Sequence, residues 1–304
     1  MVLKDSIPDT PERNPLVSLI ILTYNSADFI LETLESAKEQ SYKNIELIIS
    51  DDCSSDATTT ICENWLIDNK QYFKNTQLIV PASNTGIPAN CNRGIKASNG
   101  QWLKFLAGDD VFFPNCVQSC IDFVNKHSEV KFLFSKVAYL TNDKESKYLE
   151  TKTDIDMVFF NSTPKNQYDM LVKGGVYVPA PTEFLNKQTL LELGMFDEEI
   201  KLCEDYPMWM KATKNNVKLF FMSSETIWYR IHEQSVMSSR SLLYEKSMKT
   251  VFFKYRFKYL LKKQPLKAIN LFFINISRTN RFWSKAVNLL LPSTYITWFK
   301  TKLQ

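Results

Sequence analysis

Trp102-Leu103-Lys104-Phe105-Leu106-Ala107-Gly108-Asp109-Asp110 decides the fold: an aromatic and aliphatic run of strand length stops at a small-residue pair and opens onto two adjacent carboxylates. Asp109 and Asp110 therefore stand at a strand's carboxyl end. In an open α/β sheet ligands bind at that edge, because the loops there diverge and leave a crevice. Two like charges side by side repel unless a cation or hydrogen-bond donors offset them, and hard oxygen ligands suit Mg²⁺ or Mn²⁺. The pair is read as holding a divalent metal beneath a diphosphate. Taken alone, an Asp-Asp pair reads rather as the cap of a helix starting near Pro114, and it is the rest of the chain that reverses this.

Upstream, the pattern repeats. Val17-Ser18-Leu19-Ile20-Ile21-Leu22 is an apolar run followed by Thr23-Tyr24-Asn25, then a helical pattern with Ile30, Leu31, Leu34 and Ala37 on one side. A second run, Ile45 to Ile49, ends at Ser50-Asp51-Asp52 and leads through the cap-rich Cys53-Ser54-Ser55-Asp56 into a helix over Thr58 to Asp68. Leu78-Ile79-Val80 makes a third, shorter strand. Its loop holds Asn84-Thr85-Gly86, and a helix follows from Pro88 to Ala97, ended by Gly100. Strand and helix in alternation predict a mostly parallel sheet covered on both faces, with all the polar loops emerging at one edge.

Downstream, a helix is expected from Pro114 to Lys126 and a strand over Val130 to Val137, while Leu140 to Gln167 gives no assignment. Gly174-Gly175-Val176-Tyr177-Val178 reads as a turn entering a strand, and Tyr206 to Thr213 is helical just after Glu204-Asp205.

With 304 residues and 44% apolar content, the chain can bury one large α/β domain and an appendage. Cys53, Cys62, Cys91, Cys116, Cys120 and Cys203 have no CxxC or zinc-ligand spacing, which suggests reduced thiols in a cytoplasmic protein. Charge divides the chain sharply. Residues 240–304 hold fourteen Lys/Arg against Glu245 alone, a net of +13, leaving −9 for the remainder of a chain whose total is +4. The acidic part needs a metal before it welcomes an anionic ligand, whereas the basic part suits a phosphate-rich surface. The expected organisation is an arm over 1–14, a catalytic domain over 15–240 and a basic aromatic helical tail over 241–304.

Lined up in order, these residues resemble the inverting nucleotide-sugar glycosyltransferases of family 2, which use the GT-A fold. The match is carried by Ile20 to Asn25, Ile49 to Asp56, Leu106 to Asp110 and Glu204-Asp205-Tyr206, with Asn84-Thr85-Gly86 and Asn92-Arg93-Gly94 similar to the family's third loop. The resemblance implies that Thr23, Tyr24 and Asn25 pack against the nucleobase. It makes Asp52 the acceptor of a hydrogen bond from uracil N3, and puts Asn84, Gly86, Arg93 and Gly108 with the nucleotide-binding set. Asp109 matches the last acid of the family's Asp-x-Asp motif, the usual metal ligand; Ala107 replaces the first. Asp110 would orient Asp109 or reach the Mn²⁺ or Mg²⁺ through water. Asp205 resembles the general base that takes the acceptor's hydroxyl proton, with Glu204 helping to orient the acceptor. His232, in Tyr229-Arg230-Ile231-His232, resembles a residue that completes the metal or diphosphate site, whereas His127 is structural.

The resemblance further implies a UDP-sugar donor and one sugar added per encounter, since the chain lacks the Gln-x-x-Arg-Trp segment of processive relatives. A saccharide acceptor, lipid-linked, follows from the tail. There Phe, Trp and Leu mix with Lys and Arg, the makeup of helices that lie on an anionic membrane surface, and a location at the inner face of the membrane follows. The same aromatics would also serve to pack the tail on the catalytic domain. Nucleic acid is not the expected partner; it would reveal itself by a steep salt dependence. A sugar nucleotidyltransferase would want a Gly-rich loop after the first strand, where this chain has Thr23-Tyr24-Asn25-Ser26. Ala107 leaves open a catalytically silent sugar-nucleotide-binding or membrane-adaptor protein.

Overall fold

The computed structural model describes residues 14–141, 148–149, 155–232 and 242–277. The arm over 1–14 lies outside them but for Asn14, as do parts of the unassigned 140–167 stretch and the tail beyond Ser277.

The chain runs β1 (Val17–Thr23), α1 (Ile30–Lys38), β2 (Ile45–Asp51), α2 (Thr58–Asn69), β3 (Thr76–Ile79), α3 (Ile87–Ala97) and β4 (Trp102–Ala107). β1, β2 and β4 end where apolar residues give way to Thr, Asp or Gly, and because β1 to β4 are all parallel the loops after them open at one edge. β1 lies between β2 and β4, parallel to both, with Thr23 beside Asp51 and Leu22 beside Ala107. Every residue of β2 is buried, because helices cover both faces of the parallel half.

Beyond β4 come β5 (Val111–Phe112), α4 (Cys116–Lys126), β6 (Phe132–Thr141), β7 (Tyr148–Leu149), α5 (Met157–Asn161), α6 (Pro164–Lys173), β8 (Phe184–Asn186), α7 (Lys187–Glu192), α8 (Asp205–Lys214) and β9 (Leu219–Ile231). The sheet order is β3-β2-β1-β4-β8-β6-β9-β5, with β7 on β6. In this second half the pairing is mixed: β8 is antiparallel to β4 and β6, and β9 is parallel to β6. The parallel arrangement expected from the sequence thus describes β1 to β4, and a mixed extension completes the sheet.

Some local expectations fail for identifiable reasons. Gly174 to Val178 enters no strand. Pro179 and Pro181 lack the N–H a ladder needs, and the strand starts only at Phe184, after a short 3₁₀ turn over Ala180–Thr182. Gly100 does not end α3, whose C-cap is Ser98; instead a Cβ at Gly100 would lie 2.6 Å from the Ser18 backbone nitrogen, so the glycine permits a close approach to β1. Neither acid of the Asp109-Asp110 pair caps α4, whose N-cap is Asn115.

The chain divides into two compact units, Met1–Tyr244 and Glu245–Gln304. In the second, helical backbone continues from α9 (Leu242–Val251) through a π turn at Phe252–Arg256 into α10 (Phe257–Lys263), and Pro265 starts α11 (Pro265–Ser277). Phe272 packs on Phe253 and Phe257 with ring centroids 5.7 and 5.5 Å away, while Leu261 and Leu266 are exposed among lysines. No helix of the described residues is long and apolar enough to cross a membrane.

Candidate active site

The loops after β1 and β2 are locked together. Thr23 is buried and gives its hydroxyl to Asp51 Oδ1 at 2.7 Å, and Asp51 Oδ2 accepts the N–H of Ser54 at 2.7 Å. Asn25 adopts a left-handed backbone (φ 51°) and accepts the N–H of Ser55 on its side-chain oxygen at 2.9 Å. Tyr24 is left 52% exposed at the rim, the aromatic of this loop that is free to meet a ring. Of the three residues assigned to the nucleobase, Thr23 therefore serves the loop rather than its opening.

Asp52 is the hub of the next loop. Thr85 donates its N–H and hydroxyl to Asp52 Oδ1 at 3.0 and 2.7 Å, Gly86 donates its N–H to Oδ2 at 2.7 Å, and Arg93 Nη2 pairs with Oδ1 at 2.7 Å. Burial pushes this carboxyl up, but the donors from Thr85, Arg93 and Gly86 outweigh it and hold Asp52 below the ordinary aspartate range. The structure thus gives Asp52 an intramolecular job: its lone pairs are spent on this chain, and a nucleobase N–H would have to share them. Arg93 bridges Thr85, Asn90 and Asp52. Gly86 (φ 92°) turns the backbone against Lys201, whose carbonyl accepts the N–H of Ile87 at 3.3 Å. That contact brings the segment before Glu204 onto the loop after β3. Asn84 is exposed beside them.

After β4, Gly108 donates its N–H to Leu22, and a Cβ there would sit 2.9 Å from Thr23 Cγ2, so its role is to let two loops touch. Asp109 is half-buried with Oδ2 2.8 Å from His232 Nε2, across 123 residues of sequence. Asp110 points elsewhere. It is 1% exposed, accepts the Arg230 N–H on Oδ1 at 2.8 Å, and leaves Oδ2 without a partner. Burial, then the charge of Asp109, raise it well above the usual carboxylate range. Asp110 is therefore a buried anchor for the end of β9 and does not share the open side of Asp109. Arg230 completes that anchor through Nε to the Asp109 carbonyl at 2.7 Å, an ion pair to Glu32 and a cation–π contact 4.9 Å from the Phe29 ring. Phe29 also packs on His232 at 5.0 Å.

One carboxylate oxygen and one imidazole nitrogen, side by side and partly open, are a donor set that Mn²⁺ accepts more readily than Mg²⁺, which prefers oxygen alone. Among the described residues no group of three or more His, Cys, Asp or Glu gathers at one point, so the remaining ligands would have to come from a diphosphate and water.

Glu204 and Asp205 open α8 beside Cys203, which takes a left-handed backbone (φ 93°) and donates its thiol to Asp205 Oδ1 at 3.5 Å. Burial, with the Asp205 charge added, pushes Glu204 up to about 7. Burial also raises Asp205, partly offset by the Tyr206 N–H and the Cys203 thiol. Sequence reasoning missed Glu183, Arg230, Phe29 and Tyr177, the last of which is raised by burial and by its neighbours Tyr139, Tyr229 and Asp205. Arg230 and Tyr177 stand inside stretches quoted for other reasons, beside His232 and after Gly174-Gly175, while Phe29 and Glu183 carry no signal beyond flanking α1 and β8. A separate cavity of about 820 Å³, lined by Phe123, Lys136, Ile155 and Met222 among others, shares no residue with these loops.

Acids and polar turns gathered along the carboxyl edge of a mixed α/β sheet define the GT-A class of domain. The chain belongs to glycosyl transferase family 2, whose model matches residues 18–193. It is 30% identical over 229 residues to the Escherichia coli UDP-Glc:alpha-D-GlcNAc-diphosphoundecaprenol beta-1,3-glucosyltransferase WfaP, covering 74% of this chain and 81% of WfaP. Staphylococcus aureus TarS in complex with UDP-GlcNAc has a similar fold (TM-score 0.59, 22% identity, covering 78% of this chain and 65% of TarS 1–349). So does the mannosyltransferase PcManGT from Pyrobaculum calidifontis in complex with GDP-Man and Mn²⁺ (TM-score 0.59, 15% identity, covering 97% and 85%). The chain spans 65% of the length of the glycosyltransferases of Rickettsia typhi and Rickettsia prowazekii that it matches.

Proposed function

We propose that this protein transfers one sugar from a UDP-sugar, with inversion, to a hydroxyl of a lipid-linked saccharide in the synthesis of a cell-surface polysaccharide. The observation that carries this reading is the 2.8 Å approach of His232 to Asp109, a two-residue ligand set at the edge where the nucleotide loops meet. WfaP, whose acceptor is a diphosphoundecaprenol-linked sugar and whose donor is UDP-Glc, supports the donor and acceptor class.

Asp109 and His232 would hold a Mn²⁺ or Mg²⁺ ion, which when bound offsets the charge that grows on the departing diphosphate. Tyr24 would stack on the base, and Asp52, through Thr85 and Arg93, sets the shape of the loop that receives it. Asp205 accepts the proton of the attacking hydroxyl as its oxygen bonds to the anomeric carbon and UDP leaves from the opposite face. Glu204, titrating near 7, hydrogen-bonds and orients the acceptor. The tail would hold the enzyme on the cytoplasmic face of the membrane, where a lipid-linked acceptor is presented.

Release of UDP from a panel of UDP-sugars with Mn²⁺ present, with and without acceptor, tests this reading. Asp205→Asn is expected to lower turnover about 10²- to 10⁴-fold while UDP binding is retained. Turnover at the normal rate would remove Asp205 from the base role, and no transfer by the native chain to any acceptor would leave the silent sugar-nucleotide binder.

A further inference from the structure

The backbone between α7 and α8 takes an unusual conformation near each end: Met195 (φ 57°) and Cys203 (φ 93°) are both left-handed without being glycine. Such residues persist only where surrounding contacts fix them. Here much of the fixing comes from α3. Asn92, 2% exposed, donates its amide nitrogen to the Phe196 carbonyl at 2.9 Å and to Glu198 Oε1 at 2.8 Å, and accepts the Phe196 N–H on its side-chain oxygen at 3.0 Å. An amide side chain can give and take at once, whereas a carboxylate can only accept. Phe196 is itself buried and packs edge-on against Phe105 of β4, ring centroids 5.9 Å apart, so an N–H or C=O freed there would be left unpaired.

Further along, the same segment meets the loop after β3. The Lys201 carbonyl accepts the Ile87 N–H at 3.3 Å, and the Lys201 ammonium donates to the Thr85 carbonyl at 3.1 Å. Thr85 and Gly86 are the residues whose N–H groups bind Asp52, and Arg93, beside Asn92 on α3, reaches the same carboxylate at 2.7 Å. Successive residues of a helix point about 100° apart. One rigid helix thus holds the Asp52 loop with one side chain and the Phe196 segment with the next. After Lys201 only Leu202, Cys203 and Glu204 precede Asp205, Cys203 donates its thiol to Asp205 Oδ1 at 3.5 Å, and Lys211 of α8 donates to the Met195 carbonyl at 2.5 Å.

We infer that Asn92 is a positioning residue of the transfer step: through Phe196 it anchors the segment that ends in Asp205, with Lys201 as a second tie, and so keeps the proton acceptor in register with a donor held at the Asp52 loop. The inference rests on the assignment of Asp205 as base. A register error displaces the base from the attacking hydroxyl, and misplacement by about 1 Å costs about 10²-fold in rate. Because the bonds around Asp52 stay in place, the loss falls on kcat and spares donor KM.

Asn92→Asp keeps the side-chain volume and the bond from the Phe196 N–H but cannot donate to the Phe196 carbonyl or to Glu198. With rates counted per UDP-binding site, so that unfolded chains drop out, it is expected to lower kcat about 10- to 100-fold and to leave donor KM and UDP affinity within about threefold of native. A packing role would reduce the number of sites and leave the rate at each unchanged. Lys201→Ala, at an exposed position, is expected to lower kcat about threefold or more at unchanged KM, and Lys201→Arg, which can still donate to Thr85, to restore it.

The decisive arm combines Asn92→Asp with Asp205→Asn. A residue that acts through the base adds nothing once the base is gone, so the double variant is expected to turn over at the rate of Asp205→Asn alone. Losses that multiply overturn the inference. Should Asn92→Asp fail to fold, Lys201→Ala takes its place in the pair, and native kcat there overturns the inference equally. Normal turnover in Asp205→Asn would sink the base assignment and this role with it, whereas native kcat in Asn92→Asp beside an inactive Asp205→Asn would sink this role alone.

Discussion

At the scale of single residues, the site is a contrast between acids that are satisfied and acids that are not. Asp52 and Asp51 are saturated with donors, and their negative charge holds loops together. Asp52 lies below its ordinary 3.8, so the stability it contributes is present above that pH and is lost as pH falls through its lower folded value. Asp52→Asn is accordingly expected to cost about 3 kcal/mol at neutral pH by stranding Arg93, with the deficit shrinking in acid; urea unfolding at several pH values measures it. Glu204 behaves in the opposite sense. Its folded value is raised from 4.5 to about 7, so its contribution is complete below 4.5 and is lost as pH rises through about 7. Glu204→Gln should therefore match the native protein at low pH and exceed it in stability above 7, in the same unfolding assay. The places of the Asp51-Asp52 pair and Asp109 at strand ends, and of Asp205 ahead of a helix, were legible as motif positions. Which oxygen each acid spends, and on what, was not, because Thr85, Arg93 and Arg230 reach them from remote parts of the chain.

At the scale of elements, β1, β2 and β4 were readable because each is a short apolar run closed by a polar stop, and α1 and α3 carry a one-sided apolar pattern; β3, Thr76–Ile79, shares only Leu78 and Ile79 with the run read from the sequence. β9 escaped. Its burial alternates irregularly, and its pairing with β6 breaks register near Lys136, so no clean period of two runs through Leu219–Ile231. Yet β9 is what delivers His232 to Asp109. The anchor of its end is Arg230, and Arg230→Gln removes the Glu32 ion pair and the cation–π contact with Phe29 while leaving both proposed metal ligands, Asp109 and His232, intact. Mn²⁺ affinity, followed by electron paramagnetic resonance titration, should weaken about 10- to 100-fold. Unchanged affinity would separate the anchor from the ion site.

At the scale of the whole molecule, the two compact units have opposite charge. The basic one exposes Leu261 and Leu266 among Lys258, Lys262, Lys263 and Lys267. Charge alone divides the chain after residue 240, since charge needs no knowledge of the fold, but it does not choose between packing and membrane binding. Reversing Lys258, Lys262 and Lys263 to Glu in the full chain is expected to release the protein from anionic vesicles in co-sedimentation, at about 1 kcal/mol per residue reversed or more, while UDP release in solution is preserved. Equal sedimentation of the variant would assign the basic face another partner.

Lys104 is fully buried and gives its ammonium to the Pro181 carbonyl at 2.8 Å, and its positive charge lowers the cost of a negative charge at both Glu183 and Asp110. One buried ammonium is thereby shared by an acid just before β8 and an acid just after β4. Replacing it with methionine would raise both acids at once, so neither can be retuned without the other while that lysine is their shared ground.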